Sequence, residues 1–274
     1  MHVPYDLSSN VRQADTNEGP SPAIWKHFPL MEFVENPNLG LFFFDRFIDF
    51  PGHASTSGGA VSGPHGKYSA YLYQGGGIAG ANLPGGLTFS SDGDNEGAAI
   101  GPWNAGFQLV STKKKFAWEM RLKTSTITDT KHGFFAGLIE AAAIAAAVPI
   151  ATDGTLADKN LIGFHRLEGD GDMLDIVYKA DGQTAQTLLA DAITLVADTF
   201  VKIGMLFDPE APAAQQVTFF KDGIPLSTYL TAAQMAAATF PNDVLLGPAF
   251  GVMNATGSTP GNTTPAWHCA AQFL

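Results

Sequence analysis

Residues 116–123, FAWEMRLK, alternate apolar and polar without interruption. Phe116, Trp118, Met120 and Leu122 take one side, and Ala117, Glu119, Arg121 and Lys123 the other, which is the period of a strand with one buried face. TFVKIGMLFD repeats the pattern with Val201, Ile203, Met205 and Phe207, and KYSAYLYQ alternates likewise. LFFFDRFIDF from Leu41 is an aromatic run suited to a buried strand, and HGFFAGLIE is the expected partner of FAWEMRLK. QVTFFKDGIPL predicts a hairpin, because Asp222-Gly223 supplies the positive φ of a tight turn. VLLGPAFGVM and AWHCAAQFL are the last strands, while the Gly/Ser-rich segment 55–66 reads as a loop. Helix is scarce. Thr231 and Gln234 form a capping-box pattern, and EAAAIAAA suits two turns before Pro149. Short helices are therefore expected near 140–147 and 231–238.

This pattern predicts an all-β protein, a two-sheet antiparallel β-sandwich of twelve or more strands. Trp118, Met120, Val201, Ile203, Met205, Phe207 and Phe219 should lie between the sheets. Residues 40–274 form that domain. Residues 1–39 read as an extended N-terminal arm, since prolines at 20, 22, 29 and 37 interrupt regular structure. Trp25, Phe28, Leu30, Met31 and Phe33 make the arm too apolar for a free tail. It lies either on its own domain or across a neighbouring subunit.

Composition narrows the function. Charged residues are 15% of the 274, against about 25% in an average soluble domain. That suits a subunit held in an assembly. The net charge of −11, with Lys113-Lys114-Lys115 the one basic run, argues against nucleic acid as a partner. Cys269 is the sole cysteine, so neither an internal disulfide nor a cysteine metal cluster is expected. MHVPYDLSSN has neither the basic nor the apolar region of a secretory signal, and the apolar run 141–151 is too short to span a bilayer. Synthesis in a reducing cytoplasm is expected, with any later destination reached by assembly.

Several stretches invite a chemical reading. SSDGDNEGAAIG, Ser90 to Gly101, is rich in oxygen ligands. Read as an EF-hand loop from Asp92, it places Asp94, Glu96 and Gly97 correctly, but Trp103 stands where a bidentate acid belongs. A retaining glycosidase needs two carboxyl groups about 5 Å apart. Neither DGDNEG nor EGDGDMLDIVY carries such a pair on a strand. The seven histidines show no zinc spacing, and His165 and His268 fall on strands. GGGIAG, Gly75 to Gly80, lacks the following helix of a dinucleotide loop. The expectation is no catalysis, no cofactor and no metal, with the acidic loop structural.

In order, GGLTFSSDGDNEGAAIG, FAWEMRLKTSTI, GFFAGLIE, NLIGFHR, TFVKIGMLFD and VTFFKDGIPL resemble the concanavalin A-like jelly roll. More narrowly, they resemble laminin-G-like virion structural proteins of tailed bacteriophages. Asp94-Asn95-Glu96, Trp118-Glu119-Met120-Arg121 and Phe219-Phe220-Lys221-Asp222-Gly223 carry the likeness, over about residues 41–274. It implies a capsid decoration protein on the virion surface, bound to the major capsid protein and self-associated, a trimer being expected. The arm residues Trp25, Phe28, Leu30, Met31 and Phe33 are its candidate partner contacts. Removing residues 1–39 should then leave a folded sandwich. The alternative is a glycan-binding host-recognition module of a phage fibre or tail, with Tyr68, Tyr71, Tyr73 and Trp103 as rim aromatics.

Overall fold

The computed structural model describes residues 18–47, 53–54, 64–65, 68–81, 86–91, 93–102, 104–110, 112, 114–128, 133–141, 143–145, 148–151, 154–167, 169, 171–254 and 261–274. Two antiparallel sheets of nine and eight strands pack face to face. In sheet A the centre is β8 (Phe116–Thr124), β13 (Val201–Phe207) and β17 (Gly261–Phe273). Beyond β13 lie β14 (Val217–Lys221) and β15 (Ile224–Leu230). On its far edge β17 pairs with β6 (Leu87–Ser91) through residues 261–263 and with β1 (Gly40–Asp45) through residues 268–273. Then come β5 (Gly77–Gly80) and β2 (His53–Ala54). Sheet B runs β12 (Gln186–Thr194), β11 (Met173–Lys179), β10 (Leu161–Arg166), β9 (Gly133–Glu140), β16 (Leu246–Met253), β7 (Gly97–Pro102), β4 (Tyr68–Tyr73) and β3 (Pro64–His65).

The inter-sheet core follows the alternation. Trp118, Met120, Ile203, Met205, Phe207 and Phe219 are fully buried in one cluster with Val201. Trp118 stacks on Phe164, and Phe89 of sheet A meets Phe250 of sheet B edge-on at 4.7 Å between centroids. The β14–β15 turn has φ of 50° at Asp222 and 76° at Gly223, the left-handed pair that a tight hairpin requires. Thr231 and Gln234 form a complete capping box on a single turn, α3 (Ala232–Met235). The helix expected over 140–147 is not there as such. β9 continues to Glu140, and a 3₁₀ turn, Ala143–Ala145, follows. High helix propensity yields to docking of the segment on a sheet.

Both outer faces are covered in part. On sheet B, Ile144, Val148, Ile150 and Leu156 of the β9–β10 connection are buried over the strands. They fit because the sheet is glycine-lined beneath them. A Cβ at Gly101 would collide with Ile144, and one at Gly251 would stand 2.6 Å from Pro149 Cδ. On sheet A the cover is the segment 18–39, which corrects the extended arm over that span, residues 1–17 lying outside the described residues. It folds as α1 (Pro22–Trp25) and α2 (Leu30–Glu35). The prolines flank and start these turns rather than break them, since Pro22 occupies the first helical turn and Pro29 precedes α2.

Ile24, Trp25, Phe28 and Phe33 are at most 6% exposed, packed with Ala117, Phe220, Cys269 and Ala271. A Cβ at Gly204 of β13 would stand 2.9 Å from Ile24 Cδ1, so the glycine leaves a notch for the arm. Of the five candidate contacts, Trp25, Phe28 and Phe33 are therefore taken up by the chain's own sheet. Leu30 is half-buried, and Met31 is 51% exposed. Among the described residues no helix is long and apolar enough to cross a membrane.

Candidate functional site

The acidic loop before β7 is held by its neighbours. The Glu96 carboxylate accepts from the Gly93 amide at 2.7 Å, and the Glu96 carbonyl accepts from Asn254 N at 2.8 Å. Fully buried Asn254 accepts from Ser91 Oγ at 2.7 Å and donates to the carbonyls of Ser91 and Gly93. Asn95 supplies the positive φ of the turn, 57°. Glu96 is thus engaged in shaping the β6–β7 connection. Asp92 lies outside the described residues. Among those described, no three His, Cys, Asp or Glu side chains gather to hold a metal.

The four candidate rim aromatics part company. Tyr68 faces inward, 3% exposed, and its hydroxyl hydrogen-bonds His268 Nε2, so it is no rim platform. The two rings stack at 5.7 Å with Phe43 and Phe47 around them. This is a polar tie between sheets within an apolar core, and burial pushes the phenol pKa up beyond its ordinary range. Tyr68 also lines a cavity of about 200 Å³ with Phe43, Pro102, Asn104 and Phe107 at one end of the sandwich. Trp103 lies outside the described residues. Tyr71 and Tyr73, two apart on β4, share the outer face of sheet B. Both are half-buried, with rings nearly parallel at 22° and centroids 6.5 Å apart. Gln74 Nε2 donates to the Tyr73 hydroxyl at 3.3 Å.

Alternation alone assigns Glu119 to solvent, and the structure buries it to 1% exposure under the arm. One carboxylate oxygen accepts from the Ser21 amide at 2.8 Å and from Trp25 Nε1 at 2.7 Å. Lys202 Nζ beside it donates to the Gly19 carbonyl at 3.1 Å. Burial raises the Glu119 pKa, against the lowering effect of the Ser21 and Trp25 hydrogen bonds and of Lys202. Burial and then Glu119 push the nearby Cys269 thiol up as well. On sheet B, burial lowers His165 to about 4, despite a hydrogen bond with the Gly154 backbone.

These two groups give opposite pH dependences. Above the ordinary carboxyl value, folded Glu119 holds a proton that the unfolded chain releases, so its contribution falls as pH rises through that window. Between pH 6.5 and about 4, unfolded His165 takes up a proton that the folded state refuses, so stability falls as pH falls. The expected size of the histidine effect is about 3 kcal/mol over that window. Thermal melts should show Glu119→Gln removing the fall in stability above the ordinary carboxyl range, and His165→Gln flattening the loss from pH 6.5 to 4. Unchanged melting curves in both variants would remove these assignments.

No family model matches the chain, and no curated protein matches it. Among solved structures it is similar to peanut lectin bound to a 9mer peptide, with a TM-score of 0.54 at 10% identity, over 86% of this chain and 98% of that one. It is also similar to the potassium-bound carbohydrate recognition domain of Emp46p, with a TM-score of 0.51 at 10% identity, over 74% of this chain and 88% of that one. At such identity the likeness is one of architecture. Strand order, face-to-face sheets and these two superpositions agree that the chain has the concanavalin A-like β-sandwich fold.

Proposed function

We propose that the chain is a non-enzymatic glycan-binding module of a virion tail or fibre that recognises carbohydrate on a host surface. The observation that carries this is the Tyr71–Tyr73 pair, two nearly parallel rings on the outer face of a sheet. Aromatic faces stack on the apolar side of a sugar ring while the phenol hydroxyls hydrogen-bond its rim. Two similar folds are a lectin and a carbohydrate recognition domain, which supports the reading at the level of architecture. On a glycan array the protein should bind a reproducible subset of bacterial polysaccharides. Tyr71→Ala with Tyr73→Ala should weaken that binding at least tenfold without moving the melting temperature by more than a few degrees. A blank array, or binding indifferent to both tyrosines, overturns the assignment.

A second reading, a decoration protein bound to the major capsid protein as a trimer, is favoured by one observation. On α2 Met31 is 51% and Val34 63% exposed, apolar side chains turned outward from the docked arm. Sedimentation with expanded heads tests it. Met31→Glu with Val34→Glu should abolish loading, and absence of the protein from purified heads ends the reading.

A further inference from the structure

Against arm residues 18–20, the outer face of sheet A holds a cavity of about 330 Å³ lined by Glu18, Phe44, Arg46, Arg121, Ala266 and Trp267. Its floor is set by strand register. Lys202, Arg121 and Trp267 are cross-strand neighbours on β13, β8 and β17. The register of β17 shifts between Pro265 and Trp267, an irregularity of the kind that re-aims side chains beside functional sites. Trp267 is fixed where it stands, its Nε1 donating to the Glu18 carbonyl at 2.6 Å. Phe44 of β1 leans over it with ring centroids 6.2 Å apart and planes 35° from parallel.

Arg121 is the unusual wall. It is 7% exposed, and its buried Nε has no hydrogen-bond partner. The guanidinium lies over the Phe200 ring, 3.8 Å from its centroid. A buried donor without an acceptor is costly, and the two terminal nitrogens of the guanidinium remain for a ligand in the cavity. Burial lowers its pKa, and the one acid acting on it is Glu18. Lys123 also sits over Phe200, 5.4 Å away, paired at 3.8 Å with Asp198. In a chain of net charge −11, the described lining of the cavity carries Arg46 and Arg121 against Glu18.

We propose that this cavity binds a carboxylate-bearing ring, an acidic sugar residue, with the carboxylate on Arg121 and Arg46 and the ring against Trp267 and Phe44. The guanidinium fork matches a carboxylate, and exposed Phe44, backed by the buried Trp267, offers an apolar surface to the edge of a pyranose. The volume is at the low end of the roughly 300–1,000 Å³ of ligand pockets, which suits one ring rather than a long oligomer. The site is on the opposite sheet from Tyr71 and Tyr73 and does not depend on their role.

Calorimetric titration of the full chain with tetragalacturonate, neutral maltotetraose and sodium sulfate tests this. Tetragalacturonate should bind at least tenfold tighter than either of the others. Arg121→Gln should weaken it at least tenfold, and Trp267→Ala comparably. Arg46→Gln, at an exposed position, should weaken it at least threefold. Sulfate binding as tightly as the uronate, or affinity unaltered in the folded Arg46 and Arg121 variants, overturns the proposal. Uronate binding that appears only after removal of residues 1–16 also overturns it, because the cavity would then serve acids of the chain's own N-terminal segment.

Discussion

A chain lacking residues 1–39 should fail to give a monodisperse, cooperatively melting protein. The arm removes Ile24, Trp25, Phe28 and Phe33 from water, each worth roughly 1.5–3 kcal/mol before the entropy of ordering the segment is set against it. Its loss also uncovers Ala117, Phe220, Cys269 and Ala271 on one sheet face and strips Ser21 and Trp25 from the Glu119 carboxylate. Domains are stable by only about 5–15 kcal/mol, so even a partial loss of this kind is large. A contiguous apolar sheet face of this sort is also rare on a soluble monomer. This replaces the expectation, drawn from an arm that contacts a partner subunit, of a sandwich indifferent to its arm. Size-exclusion chromatography with near-UV circular dichroism decides it. A truncated chain that elutes as one species and melts within a few degrees of the parent refutes the structural role.

Trp118→Ala should destabilise the protein by about 3–5 kcal/mol, the usual cost of deleting a fully buried large aromatic. Trp118 is 0% exposed and stacks on Phe164, whose ring in turn meets Phe219 edge-on. Trp118→Phe should cost far less, within about 1 kcal/mol. The Trp118 Nε1 is buried without a hydrogen-bond partner, and an unmet donor costs about 1–3 kcal/mol. Phenylalanine loses area but removes that unmet donor, so the two effects offset. Urea unfolding of the pair measures the contrast. Equal losses in the two variants would mean that the indole donor is satisfied.

Where strand period and turn chemistry act locally, the sequence is a sufficient guide. FAWEMRLK and TFVKIGMLFD lie where their alternation puts them, and so do the Asp222-Gly223 turn and the Thr231–Gln234 box. It misleads where the deciding partner is distant. Glu119 and Arg121 read as a solvent face because nothing near them reveals that the arm, about a hundred residues earlier, covers that side. Tyr68 reads as a rim aromatic because its partner His268 is 200 residues away. Pro22 and Pro29 read as breakers, although a proline at a helix start is harmless. The cavity of Arg121 and Trp267 joins four separate segments of sequence, none of which carries a recognisable motif.

The placement of β17 also bears on how the protein is made. This strand lies between β8 on one side and β6 and β1 on the other, so it joins the two halves of sheet A. A ribosome delivers residues 261–273 more than a hundred residues after β8. Until then, Trp118, Met120 and Leu122 belong to a strand with one edge bare. Contacts this remote in sequence form slowly, and a nascent chain in that condition is prone to pair with its neighbours on the same polysome. Translation rate and chaperone supply should therefore govern the yield of soluble protein more strongly than they would for a sandwich whose central strands are neighbours in sequence.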